Sequence, residues 1–330
     1  MHAILVTGGA GYIGSHVVRQ LGERGERVLV LDNLSTGQRD AVLHGELIVG
    51  DTGDAELVER VLRQNDVRAV MHFAAHIVVP ESVSDPLKYY LNNTSNTRNL
   101  LACCARTGVE HFIFSSTAAV YGIPDTIPVA EDARLEPINP YGRSKLMSEW
   151  MLRDLAAAGG MKHVILRYFN VAGADLDGRI GQSTPAATHL IKVACEAVTG
   201  QRDRVEIFGT DYPTPDGSGV RDYIHVEDLA AAHLSALDHL RAGADSTVLN
   251  CGYGHGYSVR EVLDMVQRVA GCEIEIIESP RRAGDPPALT ADATRIRGTL
   301  GWQPRYDDLE VIVRTALAWE RKLAARRKVR

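Results

Sequence analysis

No run of 18 apolar residues occurs in this 330-residue sequence, so no transmembrane helix is expected. Met1 is followed almost at once by an apolar strand, which leaves no room for a signal peptide. Positive charge is not in excess either. The net charge is −6, which gives no general attraction to nucleic acid. An anionic substrate would need locally placed arginines. Cysteine is scarce and unpatterned. The five cysteines (Cys103, Cys104, Cys195, Cys251 and Cys272) are odd in number and contain no C-x-x-C pair. They read as reduced thiols of a cytoplasmic protein. Twelve histidines form no H-E-x-x-H or comparable cluster, so no catalytic metal is expected. Internal repeats and low-complexity segments are absent as well.

What remains is an α/β chain that is 45% hydrophobic, enough to bury a substantial core. His2 to Thr7 reads as a buried strand. It runs into a loop with glycines at 8, 11 and 14, then a helical stretch to Arg24 and a second apolar strand from Arg27 to Leu31. In such a βαβ unit Gly8 permits the tight turn, Gly11 the close approach of a pyrophosphate, and Gly14 close helix–strand contact. The helix N-terminus offers amide groups to phosphate. Asp32 follows Gly14 by 18 residues, where an acid accepts bonds from a ribose. Asp32-Asn33-Leu34 contains no cation to meet a 2′-phosphate, which favours NAD over NADP.

The alternation continues. Strands are expected at Glu46–Gly50, Ala69–Ala75, His111–Phe114 and His163–Tyr168, with helices at Ala55–Leu62 and Pro86–Arg106. Strands alternating with helices imply a parallel sheet covered on both faces, with ligands at the carboxyl ends of its strands. Asp51, Ala74, Ala75, Ser115, Thr117 and Asn170 sit at such ends. After Pro140, Tyr141 and Lys145 stand four residues apart, on one face of an opening helix. An ammonium beside a phenol favours the phenolate, so Tyr141 is expected to have a lowered pKa and to take a proton from an alcohol. Thr117, 24 residues earlier, supplies a hydroxyl for the same oxygen.

Motifs along nearly the whole chain carry a resemblance. They are Thr7-Gly-Gly-Ala-Gly-Tyr-Ile-Gly-Ser-His16, His72-Phe-Ala-Ala75, Phe114-Ser-Ser-Thr117, Pro140-Tyr-Gly-Arg-Ser-Lys145, Arg167-Tyr-Phe-Asn170, Asp211-Tyr-Pro-Thr214, Gly219-Val-Arg-Asp-Tyr-Ile-His-Val226 and Arg281-Arg-Ala-Gly-Asp285. The chain resembles the extended short-chain dehydrogenases/reductases, and within them the UDP-glucose 4-epimerases. The resemblance implies a Rossmann-type doubly wound parallel sheet with a smaller C-terminal α/β substrate-binding lobe. An NAD-binding domain would comprise 1–172 and 221–250, and a nucleotide-sugar-binding domain 173–220 and 251–330. Asp211 to Gly219 reads as a loop between the lobes, and Val226 to Leu240 as a helix.

The implied activity is that of an isomerase. NAD stays bound, and Tyr141, Lys145 and Thr117 work on the sugar 4-hydroxyl of a UDP-sugar. NAD contacts are implied at Gly8, Gly11, Tyr12, Ile13, Gly14, Asp32, Asn33, Asp51, Thr52, Phe73, Ala74, Ala75, Asn92, Ser115, Tyr141, Lys145 and Tyr168. Substrate contacts are implied at Thr117, Tyr141, Asn170, His189, Leu190, Phe208, Arg221, Arg282 and Asp285. Arginine suits a diphosphate because its planar fork binds two oxygens. Leu289 aligns with a position bordering the sugar pocket, and its intermediate size leaves hexose, N-acetylhexosamine and pentose open. Relatives are commonly homodimers through the Pro86 and Tyr141 helices. One departure is the run His76-Ile-Val-Val-Pro80, where some relatives carry a lysine. His76 is expected to be a satisfied turn histidine, and Arg326 to Arg330 a frayed basic tail.

Rivals are a nucleotide-sugar 4,6-dehydratase, a net dehydrogenase and an NAD-sensing module. The first would need acids after Thr117, where Ala118 and Ala119 stand. The second would release its cofactor every cycle. The third typically lacks the tyrosine or the lysine.

Overall fold

A computed structural model describes residues 2–185, 187–282 and 285–329. Its frame is a seven-stranded, all-parallel sheet. The strands are β1 (Ala3–Thr7), β2 (Val28–Asp32), β3 (Glu46–Val49), β4 (Val67–His72), β5 (His111–Thr117), β6 (Lys162–Tyr168) and β11 (Thr247–Cys251). The order is β11-β6-β5-β4-β1-β2-β3, so the chain direction across the sheet reverses between β1 and β4. The crevice at that reversal is where such sheets bind ligands.

The strands read as continuous apolar runs because both faces are covered. Side chains alternate between faces. Ile4, Val6, Val30, Met71 and Leu166 enter one core, while Leu5, Leu29, Val70, Phe112 and Ile165 enter the other. The second core is closed by α2 (Ala55–Gln64), α5 (Asn96–Thr107) and α6 (Pro140–Ala157). The first is closed by α1 (Tyr12–Glu23) and α8 (Val226–Arg241).

Helix starts follow from their caps. Asp54 accepts from Leu57 N at 3.0 Å to open α2, and Asn139 accepts from Gly142 N at 2.9 Å to open α6. The helix expected over Pro86–Arg106 is not uniform. A short α3 (Val79–Ser84) precedes it, and α4 (Pro86–Tyr89) passes through a π segment, Tyr90–Ser95, before α5. The strand expected over Ala69–Ala75 ends at His72, which leaves Phe73, Ala74 and Ala75 in the loop beyond its tip.

The rest of the chain, most of it in the smaller lobe, is built from short pieces. They are β7 (Asn170–Ala172), β8 (Val205–Phe208), β9 (Val220–Arg221), β10 (Tyr223–His225), β12 (Tyr257–Ser258), β13 (Ile276–Ser279) and β14 (Ala288–Leu289). The helices are α7 (Leu190–Val198), α9 (Val259–Ala270), α10 (Thr294–Leu300) and α11 (Leu309–Val329). They pair as β10-β7, β12-β9-β14 and β13-β8. Ile191, Val205 and Val262 share the core that holds Ile4 and Leu166, so one apolar body joins the two lobes. Asp211 to Gly219 forms neither helix nor strand, as expected. The basic tail differs from expectation: α11 carries it in helix to Val329, with Arg326 and Arg327 exposed. Arg330 lies outside the described residues, as do Ala283 and Gly284 of the Arg281–Asp285 motif.

Candidate active site

The glycine loop is shaped by close contacts. Gly8 has φ of +70°, and a Cβ there would lie 2.6 Å from Ala74 N. A Cβ on Gly14 would lie 2.3 Å from the Gly8 carbonyl oxygen. At Gly11 the nearest such contact is a single atom at 3.2 Å, so the side facing away from the protein is open. Gly11 N donates back to Gly8 O at 3.1 Å, and no side chain caps the start of α1. The first-turn amides therefore point into an open cradle, the arrangement that binds phosphate.

Asp32 stands beside this loop. Its carboxylate accepts Ala10 N at 2.9 Å and Leu34 N at 2.8 Å, which holds it at the tip of β2. Asp51 accepts Gly53 N and Asn33 Nδ2, each at 2.8 Å, and Asn96 Nδ2 at 2.9 Å. Thr52 is fixed by Asn99, which donates to its carbonyl at 2.6 Å. Phe73 packs 4.7 Å from the His233 ring, and Ile13 packs on the core. Asn92 donates to Asn93 at 3.0 Å. Tyr12 contributes more than loop backbone, since its phenol donates to Gly173 O at 2.6 Å and so reaches the smaller lobe. An open amide cradle with a carboxylate at the tip of the next strand fits NAD.

Tyr141, Lys145 and Thr117 are all buried, at 8%, 3% and 8% exposure. Thr117 ends β5, and its hydroxyl accepts Ala119 N at 3.1 Å. Lys145 Nζ lies 4.4 Å from the centre of the Phe114 ring. Burial pushes Lys145 down to about 7, against the pull of the Glu149 carboxylate. The expectation for Tyr141 is corrected here. Burial raises its pKa, and the neighbour that opposes burial is the Thr117 hydroxyl rather than Lys145. Desolvation disfavours the charged form of both groups, so the pair is not a simple ion pair in the protein alone. Ser115 and Tyr168 share a 2.5 Å hydrogen bond, and burial raises the Tyr168 phenol.

Sequence reasoning missed Asn93, which ties this region together. It donates to His76 O at 2.9 Å and to Ser144 Oγ at 3.1 Å, accepts His76 N at 2.8 Å, and its carbonyl accepts Ser148 Oγ at 2.7 Å. The backbone of His76 is thus held on both sides, in a stretch that is neither helix nor strand. Glu149 and Arg167 were also missed. The repeated spacing Lys145, Glu149, Arg153 along α6, and an arginine inside an otherwise apolar strand, were the available signals.

The expected substrate residues fall into three groups. Asn170, His189 and Leu190 line one cavity together with Gln182 and Trp319. Gln182 and His189 pair at 3.0 Å, and burial lowers the His189 pKa. Arg221 lies on β9, opposite Leu289 of β14, and donates to its neighbour Val220 O at 2.9 Å. Arg282 is exposed, its guanidinium 3.5 Å from the centre of the Phe208 ring. The Phe208 ring thus carries the Arg282 guanidinium on its face. Asp285 is exposed and donates its backbone N–H to Arg282 O at 3.3 Å. Among the described residues neither Arg221 nor Arg282 has a carboxylate partner, whereas Arg281 pairs with Asp211 at 2.6 Å. Unpaired guanidinium groups beside a carboxylate suit a diphosphate and a ribose.

Comparison with known proteins agrees with this geometry. A UDP-glucose 4-epimerase of Azospirillum brasilense is 59% identical over 321 residues, covering 97% of this chain and 92% of the relative. The crystal structure of a UDP-glucose 4-epimerase from Brucella ovis in complex with NAD superposes with a TM-score of 0.95 at 45% identity, covering 97% of this chain and 99% of that one. The UDP-Glc/GlcNAc 4-epimerase of Campylobacter jejuni gives a TM-score of 0.86 at 51% identity, covering 98% and 100%. A sequence model of the NAD dependent epimerase/dehydratase family matches residues 4–252, the stretch that contains the glycine cradle, Thr117, Tyr141 and Lys145, and the chain belongs to that family.

Proposed function

We propose that this protein interconverts UDP-glucose and UDP-galactose through a 4-keto sugar, with NAD held throughout. The observation that carries the reading is a buried Tyr141, Lys145 and Thr117, the last at the tip of β5, in a sheet whose β1 tip leads into the amide cradle of the α1 first turn. NAD, when bound, supplies a hydride acceptor for C4 and the donor for the return. Tyr141 takes the 4-hydroxyl proton and gives it back once the sugar has presented its other face. The Thr117 hydroxyl holds the same oxygen. Lys145, when protonated, favours the Tyr141 phenolate. Gly8, Gly11 and Gly14 admit the pyrophosphate, and Asp32 takes the ribose. Arg221 and Arg282 grip the UDP diphosphate, Asp285 its ribose, and Asn170, His189, Leu190 and Phe208 the remainder. A firm hold on the nucleotide and few contacts to the sugar let the sugar turn without release.

The cofactor domain in this reading comprises 1–172 and 221–250, and the UDP-sugar domain the remainder. Its place is galactose metabolism in the cytoplasm, in keeping with five free thiols. The working form is a homodimer. Leu87 and Leu91, one turn apart, and Trp150 of α6 are exposed at 76%, 62% and 50%, an apolar surface suited to a second copy. Leu87→Glu is expected to sediment as a monomer, and an unchanged dimer would rule out this face.

The decisive assay is turnover of UDP-galactose by purified protein without added NAD. Conversion to UDP-glucose is expected, falling about 10³-fold in Tyr141→Phe with NAD still bound. Folded, NAD-loaded protein that leaves UDP-galactose unchanged would sink the reading. UDP-GlcNAc belongs in the same assay, because the Campylobacter relative's name covers both sugars.

A further inference from the structure

Glu149 is fully buried, and the reaction described above does not use it. It stands one turn after Lys145 on α6, on the same helical face. Its carboxylate takes four donors. Oε1 accepts from Ser116 Oγ at 2.5 Å and Arg167 Nε at 3.0 Å. Oε2 accepts from Arg167 Nη2 at 2.7 Å and Arg153 Nη2 at 3.1 Å. Arg167 is as deeply buried, and its Nη1 donates to the Tyr121 hydroxyl at 2.9 Å and to Glu131 O at 3.2 Å. Desolvating such a pair costs several kcal/mol per ion, and apolar residues of similar volume often do as well. Stability alone therefore does not account for a charge pair seated one turn below the active-site lysine.

We propose that Glu149 and Arg167 form a positioning unit that sets the charge of Lys145: Glu149 keeps the buried amine protonated, and Arg167 limits how strongly it does so. The proposal rests on the assignment of Lys145 to the site. The surroundings are well defined. On α6, Lys145 is flanked by Tyr141 and Glu149, with Arg153 beyond. From β4, burial pushes His72 down to about 3, with the Lys145 charge adding to it, so it stays neutral. From β5 come the Phe114 ring and the hydroxyls of Ser116 and Thr117. From β6 come Arg167, Tyr168 and His163, the last pushed down to about 4 and neutral. Tyr121 and Glu131 close the far side of Arg167. Glu149 is the anion that acts on Lys145, and it opposes a burial effect that otherwise expels the proton.

Glu149→Gln keeps the side-chain shape and removes the charge. Lysine ¹³Cε resonances, with Lys145 assigned by its loss in Lys145→Arg, are expected to show it titrating about one pH unit lower than in the unaltered protein. The basic limb of kcat/KM is expected to move in the same direction. Arg167→Met has the opposite sign, because Glu149 loses its counter-charge and Lys145 titrates higher. If a single variant does not fold, the double variant Glu149→Gln, Arg167→Met leaves neither charge of the pair unpartnered and is expected to titrate lower than the unaltered protein. A purely structural pair would lower Tm and leave the Lys145 titration unmoved, which would overturn the proposal. Full activity in Lys145→Met would overturn the assignment of Lys145 instead, a separate result from the titration.

Discussion

The tips of the parallel sheet and the strand cluster around β9 and β14 hold their functional groups in opposite ways. At the sheet, Ser115, Thr117, Tyr141 and Lys145 are buried, and Ser115 and Thr117 are already committed to partners at 2.5 Å and 3.1 Å. At the cluster, Arg282 and Asp285 stand exposed, and Arg282 rests on an aromatic face rather than on a carboxylate. The difference matches the two tasks proposed for these groups. Proton transfer needs fixed atoms and shifted pKa values, which burial provides. A nucleotide grip must open to release product, so its charges stay solvated until the ligand arrives.

Acid should break the comparison most strongly. His16, His72, His163, His225 and His233 are buried in the dinucleotide half, and burial pushes them down to about 4, 3, 4, 3 and 4. In the unfolded chain each takes a proton below about 6.5, whereas the folded chain refuses it until about pH 4. The unfolded state therefore binds more protons throughout that window, and stability falls as pH drops from 6.5 to 4. The slope is about 1.4 kcal/mol per pH unit for each histidine. Thermal melts between pH 7 and pH 5 should lose more than about 10 °C. Hydrogen exchange at pH 5 should show the parallel sheet opening before β9 and β14. A Tm independent of pH over this range would show that these histidines are not held neutral.

Arg282→Ala tests the other side. Losing one charge-assisted grip on a diphosphate should raise KM for the UDP-sugar about 10- to 100-fold. kcat should change little, because Arg282 acts equally before and after the proton moves. A fall in kcat with KM unchanged would place Arg282 in the chemistry and erase the division of labour.

Much of the fold and of this placement was legible in the sequence, for identifiable reasons. The glycine cradle could be read because steric exclusion at Gly8 and Gly14 is local to the loop. The parallel strands could be read because burial on both faces makes them apolar throughout. Tyr141 and Lys145 could be read because helical spacing alone puts them together. The Glu149–Arg167 pair could not, since it depends on how α6 lies against β6, 18 residues on. The sign of the Tyr141 shift could not either, because the depth of burial, and not the nearest charge, decides it. In the smaller lobe, strands of two to four residues carry too little periodicity to be seen.

The two regions also meet, and the meeting point gives the mildest and sharpest test. Tyr12 belongs by sequence to the dinucleotide loop, yet its phenol donates to Gly173 O at 2.6 Å, just past β7. Tyr12→Phe keeps the ring and removes that donor, leaving a partly buried carbonyl short of a partner at a cost of about 1 kcal/mol. If the bond only adds stability, Tm falls by a few degrees and kinetics are unchanged. If it registers the cofactor cradle against the cavity that Asn170 lines, KM for the UDP-sugar should rise severalfold while NAD content stays full. That second pattern is expected, because Gly173 directly follows the β7 strand that begins at Asn170 and lines the same cavity as Asn170 and His189. A KM equal to that of the unaltered protein would mean that the two halves hold their ligands independently.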